Sequence, residues 1–191
     1  MTADAAADKR LIRARMRALK AQLTDERRAE AAEAVFAALE RTGLFQRARR
    51  ILLYCSLPDE LPTRAFLDKW AGRKQLFLPR VNGDMLELLP YDKERLSAGA
   101  YMIDEPEGDD TADVGSMHLV VLPGVAFDCR GNRLGRGKGF YDRLLAGKSV
   151  ATVGVGYDFQ LVDGLLPAEP HDVVLDMVIT ESRLIGGRPL R

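Results

Sequence analysis

His118-Leu-Val-Val-Leu-Pro123, then Gly124-Val-Ala-Phe-Asp-Cys-Arg-Gly-Asn-Arg-Leu-Gly-Arg-Gly-Lys-Gly-Phe-Tyr-Asp142, then Arg143-Leu-Leu145: this stretch decides the fold. Its first run is continuously apolar and short, the pattern of a strand covered on both faces. An irregular, glycine-bearing connection follows over 124–136, and the spacing predicts a short helix over 140–145. Ser149 to Tyr157 then reads as the next strand and Asp176 to Thr180 as the last, with a loop over 164–172 between them. Strands separated by helices call for crossover connections, and crossovers build parallel sheets.

Upstream, Arg50-Ile-Leu-Leu-Tyr-Cys-Ser56 is a second compact apolar run, and Pro62 and Thr63 start a helix through Trp70. Gln75 to Val81 and Met85 to Tyr91 flank an Asn82-Gly83-Asp84 turn, which predicts one antiparallel pair. Two helices open the chain. In the first, from about Asp8 to Leu23, the residues Leu11, Ile12, Met16, Leu19 and Leu23 form the apolar stripe, with Arg and Lys on a solvated face. In the second, Thr24 or Asp25 caps a stripe of Ala32, Val35, Phe36 and Leu39 that Gly43 ends. The acidic stretch 103–116 reads as a loop and the closing GGRPLR as frayed. The expectation is an α/β fold: one layered domain over 1–191 with a mostly parallel sheet flanked by helices.

The 191 residues are 47% apolar, enough for one sizeable core, and Lys+Arg equals Asp+Glu at 28 each. That balance leaves no field to recruit nucleic acid or an anionic membrane, so any anion site must be local. Cys55 and Cys129 have neither redox nor zinc spacing and suit a reducing compartment. The N-terminal segment lacks a signal-peptide apolar core, and Asp4 and Asp8 argue against a mitochondrial presequence. A cytoplasmic monomer that binds neither membrane nor nucleic acid is expected.

Gly131, Gly135, Gly137 and Gly139 alternate with Arg133, Arg136 and Lys138 between a strand and a helix. Glycines allow backbone N–H groups to approach an anion, and the cations neutralise it. The pattern is not a Walker A loop, because Gly139 follows Lys138 where Ser or Thr belongs. Nor is it the dinucleotide fingerprint, because Phe140 occupies the place of the third glycine. A solvated basic turn is the plainer alternative, but four glycines cost more backbone entropy than a turn requires. Asp142 reads either as an ordinary first-turn carboxylate or as a ligand for phosphate-bound Mg²⁺, with Asp172 as a second candidate.

These residues resemble the signature of the 5-formyltetrahydrofolate cyclo-ligases. The resemblance extends to Lys9-x-x-x-Arg13, to Tyr54-Cys-Ser-Leu-Pro-Asp-Glu60 followed by Thr63, to Leu78-Pro79-Arg80, and to Pro167-x-x-Pro-His-Asp172-x-x-x-Asp176. Phe140, often Tyr in the family, and the variable surroundings of Cys129 are the departures. The resemblance implies a fold shared with the sugar-phosphate isomerase and CoA-transferase group, and an ATP- and Mg²⁺-dependent closure of 5-formyltetrahydrofolate, with or without a polyglutamate tail, into 5,10-methenyltetrahydrofolate. It implies that Lys9, Arg13, Arg133, Leu134, Gly135, Arg136, Gly137, Lys138, Gly139, Phe140 and Tyr141 hold ATP, and that Asp142 and Asp172 hold Mg²⁺. Cys55, Glu60, Arg136, Gly137, Lys138, Gly139, Phe140 and Tyr157 are expected at the folate, with Arg136 and Lys138 carrying catalysis.

In the family reaction ATP phosphorylates the formyl oxygen on N5, N10 attacks the activated carbon, and phosphate leaves. No protein nucleophile is needed, and no Ser-His-Asp or Cys-His arrangement is legible here. His118 reads as structural, His171 as orienting its loop or acting as an acid, Cys55 as a small apolar residue and Cys129 as incidental. The rivals are a sugar-phosphate isomerase, which would show an acid–base pair in place of a metal pair, and an RNA-binding module, which the few aromatics do not favour.

Overall fold

Both faces of the central strands are apolar in alternation, and this sets the layering. The computed structural model describes residues 3–98, 104–169 and 172–186. In chain order its elements are α1 (Ala3–Lys20), α2 (Asp25–Arg41), α3 (Gly43–Arg47), β1 (Arg50–Leu52), α4 (Arg64–Trp70), β2 (Gln75–Asn82), β3 (Met85–Pro90), β4 (Leu96–Ala98) and β5 (Asp104–Pro106). They continue with β6 (Leu119–Pro123), β7 (Ala126–Phe127), β8 (Arg133–Leu134), α5 (Phe140–Leu145), β9 (Ala151–Val155), β10 (Met177–Ile179) and β11 (Leu184–Gly186).

The main sheet has 7 strands in the order β11-β10-β9-β6-β1-β2-β3. From β10 to β2 the strands run parallel; β3 and β11 close the edges antiparallel. Ile51, Leu119 and Val121 face a core built with α2, α3 and α4, in which Phe36 and Phe66 stack at 4.5 Å. Leu52, Val120 and Leu122 face the opposite core of Phe127, Leu145 and Leu175. A strand buried on both sides loses its polar alternation, which is why these runs read as continuously apolar. The fold is the α/β class expected from the sequence.

Several local expectations are corrected. Gly43 does not end α2 but opens α3: the Thr42 hydroxyl donates to Leu39 O at 2.7 Å and accepts the Phe45 N–H at 3.2 Å, so one residue caps both helices. Leu11, placed on the apolar stripe of α1, is 68% exposed, because α1 packs through Met16 and, more loosely, Ile12 and Leu19 against Val125, Ala126 and Leu134. β1 stops at Leu52, beyond which Leu53 and Tyr54 stay buried outside the strand. The acidic stretch carries β5, paired with β4, and a 3-10 turn at Val114–Ser116. β7 and β8 form a ribbon within the connection read as irregular, and β11 follows the strand read as last. All of these strands are too short for a period of two to register. Residues 187–191 of GGRPLR, and His171, lie outside the described residues. No helix among the described residues is long and apolar enough to cross a membrane.

Candidate active site

Between β1 and β6 the strand order reverses: β2 lies to one side, β9 and β10 to the other. Chains leaving neighbouring strands in opposite directions open a crevice at the carboxyl edge of the sheet, where ligands of such folds bind. Tyr54 and Cys55 follow β1, Pro123 ends β6 and Gly124 follows it, and all four line a cavity of about 970 Å³. That is the upper end of the range for ligand pockets, roughly 300–1,000 Å³, and large enough for two ligands to meet.

The glycine-bearing loop forms one wall. Gly137 and Gly139 have φ of 99° and 67°, left-handed conformations that fit glycine, and Gly139 caps α5. Arg13 of α1 donates from Nε to Gly135 O at 3.0 Å, and a Cβ at Gly137 would lie 3.6 Å from its Nη2. The helix that follows has only 6 residues, so the positive charge of this wall comes from side chains more than from a helix dipole. Arg133 is nearly buried. Its Nη2 reaches both Asp142 carboxylate oxygens at 3.1 and 3.3 Å, its guanidinium lies over the Tyr141 ring, and its buried Nε has no hydrogen-bond partner among the described residues. An orphaned donor of this kind costs on the order of 1–3 kcal/mol unless something binds it. Lys138 is exposed at the cavity and makes no ion pair among the described residues.

Lys20 overturns the reading of α1's basic residues, Lys9 and Arg13 apart, as a solvated face. Lys9 is buried, with Nζ 3.7 Å from Glu169 and 3.5 Å from Asp172. Lys20 is 3% exposed and lies 3.5 Å from Asp59; burial lowers its pKa. Arg10, on the next turn from Arg13, also lines the cavity. The carboxylates that bury these lysines come from loops distant in sequence, so nothing local announced them.

Asp59 in turn pairs with Arg136, whose Nε is 3.4 Å from Glu60 Oε1. Glu60 is 8% exposed, and its Oε2 accepts the Leu57 N–H at 3.0 Å; burial raises its pKa. Its backbone is fixed from below. The Tyr157 hydroxyl donates to Glu60 O and the Tyr54 hydroxyl to Leu61 O, both at 3.1 Å. Tyr157, expected at the substrate, is therefore fully buried beneath the pocket and stacked on Phe159, where it supports Glu60 rather than lining the wall. Phe140, Tyr141 and Cys55 do line the cavity; burial pushes the Cys55 thiol up, away from a nucleophile's thiolate. Cys129 is exposed and no part of this wall.

Asp142 and Asp172 both face the cavity, each beside a cation. Among the described residues no group of three or more His, Cys, Asp and Glu side chains could hold a metal ion. One or two carboxylates suffice instead for a hard ion whose other ligands are phosphate oxygens and water.

The family model described as the 5-formyltetrahydrofolate cyclo-ligase family matches residues 5–181. The 5-formyltetrahydrofolate cyclo-ligase of Escherichia coli strain K12 is 33% identical over 147 residues, covering 72% of this chain and 80% of its own. That of Haemophilus influenzae is 31% identical over 181 residues, covering 86% and 92%. The solved structure of Aquifex aeolicus 5,10-methenyltetrahydrofolate synthetase superposes with a TM-score of 0.86 at 32% identity, covering 96% of this chain and 94% of that one.

Proposed function

The chain belongs to the 5-formyltetrahydrofolate cyclo-ligase family, and from that premise we propose that it closes 5-formyltetrahydrofolate into 5,10-methenyltetrahydrofolate at the expense of ATP, with Mg²⁺, releasing ADP and phosphate. The observation that carries this reading is the convergence on one cavity of a glycine-and-cation wall, including the exposed Lys138, with a buried carboxylate, Glu60. ATP supplies a phosphoryl group that turns the formyl oxygen into a leaving group. The chain's own part is positional and electrostatic. Lys9, Arg13 and the segment 133–141 hold the triphosphate, Arg136 and Lys138 offset the charge of the transferring group, and Asp142 and Asp172 hold Mg²⁺. Glu60 accepts paired N–H bonds from the pterin, with Tyr157 fixing its backbone and Cys55 and Phe140 completing the pocket. The chain acts as a cytoplasmic monomer on folate with or without added glutamates.

The methenyl product absorbs light where the substrate does not, so a spectroscopic assay tests the proposal. Product is expected only when both ATP and Mg²⁺ are supplied; formation without ATP sinks the reading. Asp142→Asn is expected to raise the Mg²⁺ concentration for half-maximal rate ~10-fold or more, since even groups behind a metal ligand shift affinity on that scale. An unshifted metal titration would reduce Asp142 to a partner of Arg133.

A pH dependence follows from Glu60. Its ionised form accepts the pterin N–H groups, and burial raises its pKa. Protonation therefore begins above the ordinary Glu value of roughly 4.3, and substrate affinity should decline on acidification from a correspondingly higher pH. Glu60→Gln should flatten that limb when dissociation constants are measured across the range.

A further inference from the structure

The cavity wall carries a further carboxylate that the chemistry above leaves unused. Glu105 is the middle residue of β5, opposite Ser97 of β4, and is 8% exposed. Its Oε1 accepts the Val81 N–H of β2 at 3.4 Å, and it lines the cavity together with Val81 and Pro79. No ion pair reaches it among the described residues, and its other oxygen has no donor there. The remaining acidic residues on this wall all have cations: Glu60 has Arg136, Asp142 has Arg133, and Glu169 and Asp172 share Lys9.

A carboxylate has lone-pair sites for about four hydrogen bonds, and a largely buried one left with a single long bond is costly. The phosphate end of the cavity cannot satisfy it, because phosphates repel it. What can is a neutral, donor-rich edge. A reduced pterin carries an amino group and ring N–H groups along one side, more donors than the fork of a single carboxylate accepts.

We infer that Glu105 is a second substrate-contacting carboxylate, taking N–H bonds from the reduced pterin where β2 and β5 line the pocket. The inference rests on the proposed folate substrate. Glu105→Gln is the appropriate variant, since its amide oxygen still accepts from Val81 and so retains the docking of β5 on β2, while its NH₂ group meets the donor edge unfavourably.

Calorimetry on the full chain separates the possibilities. Glu105→Gln is expected to weaken 5-formyltetrahydrofolate binding ~10-fold or more, the scale of a hydrogen bond to a charged group, with Mg·ATP affinity unchanged. Glu105→Asp, which keeps the charge, should recover part of the loss. Unchanged folate affinity in the Gln variant, equal losses for both ligands, or an Asp variant no better than Gln each overturn the assignment while leaving the function standing. An unsubstituted chain that binds Mg·ATP but no folate removes the functional reading, and this inference with it.

Discussion

Lys138→Ala is expected to lower turnover by ~10²-fold or more at saturating ATP and 5-formyltetrahydrofolate, the scale seen when one preorganised stabiliser is removed from a reacting centre. The side chain is exposed at the cavity and engages no carboxylate among the described residues. Its loss should therefore leave stability nearly untouched, since surface substitutions away from buried features change it by about ±0.5 kcal/mol or less. The left-handed conformations of Gly137 and Gly139 set the backbone on either side of it, at the cavity lining. Lys138→Arg keeps the charge and should retain part of the rate. A variant that unfolds like the parent and turns over within a few-fold of it would end the assigned role.

The same contrast explains which parts of the molecule were legible in the sequence. Leu119 to Leu122 alternate between two buried faces, so their uninterrupted apolar run announced a central strand, and the position of the loop after it followed. Thr24, Gly83 and the 140–145 segment carried local signals of cap, turn and helix, and each forms the predicted element. What local chemistry cannot encode is a partner brought from far along the chain. Lys20 looks like any other basic residue of an amphipathic helix until Asp59 meets it. Tyr157 looks like a plate for a flat ring, yet the fold carries its hydroxyl to the carbonyl of Glu60, 97 positions earlier. Glu105 lay in a stretch whose acidity suggested a loop, and only its docking beside β2 turns it into a pocket wall. The glycine-and-cation segment is contiguous and could be read; the places of Lys20 and Glu105 depend on segments brought from elsewhere in the chain and could not.

Asp128 is the residue whose loss should cost the fold most among those near the site. It is fully buried, and its carboxylate accepts the Arg130 N–H at 2.9 Å, the Asn132 N–H at 3.0 Å, the Asn132 side-chain amide at 2.8 Å and the Leu166 N–H at 2.9 Å. These bonds tie the β7–β8 turn, from which Arg133 projects, to the loop that leads to Glu169 and Asp172. Asp128→Ala strands the buried Leu166 N–H, at roughly 1–3 kcal/mol, and loosens three half-exposed donors that water can partly serve. A loss of ~3–5 kcal/mol is expected in urea unfolding with the m-value unchanged, a large share of the roughly 5–15 kcal/mol that holds a domain together. Asp128→Asn retains one acceptor oxygen but turns an NH₂ group toward existing donors, and should fall between. Because the arms bearing Arg133 and Asp172 are fastened at this one carboxylate, Mg·ATP affinity should drop along with stability in whatever fraction stays folded. A loss below about 1 kcal/mol would mean that the two arms are held independently, and that the sides of the cavity bearing Arg133 and Asp172 owe their alignment to the sheet alone.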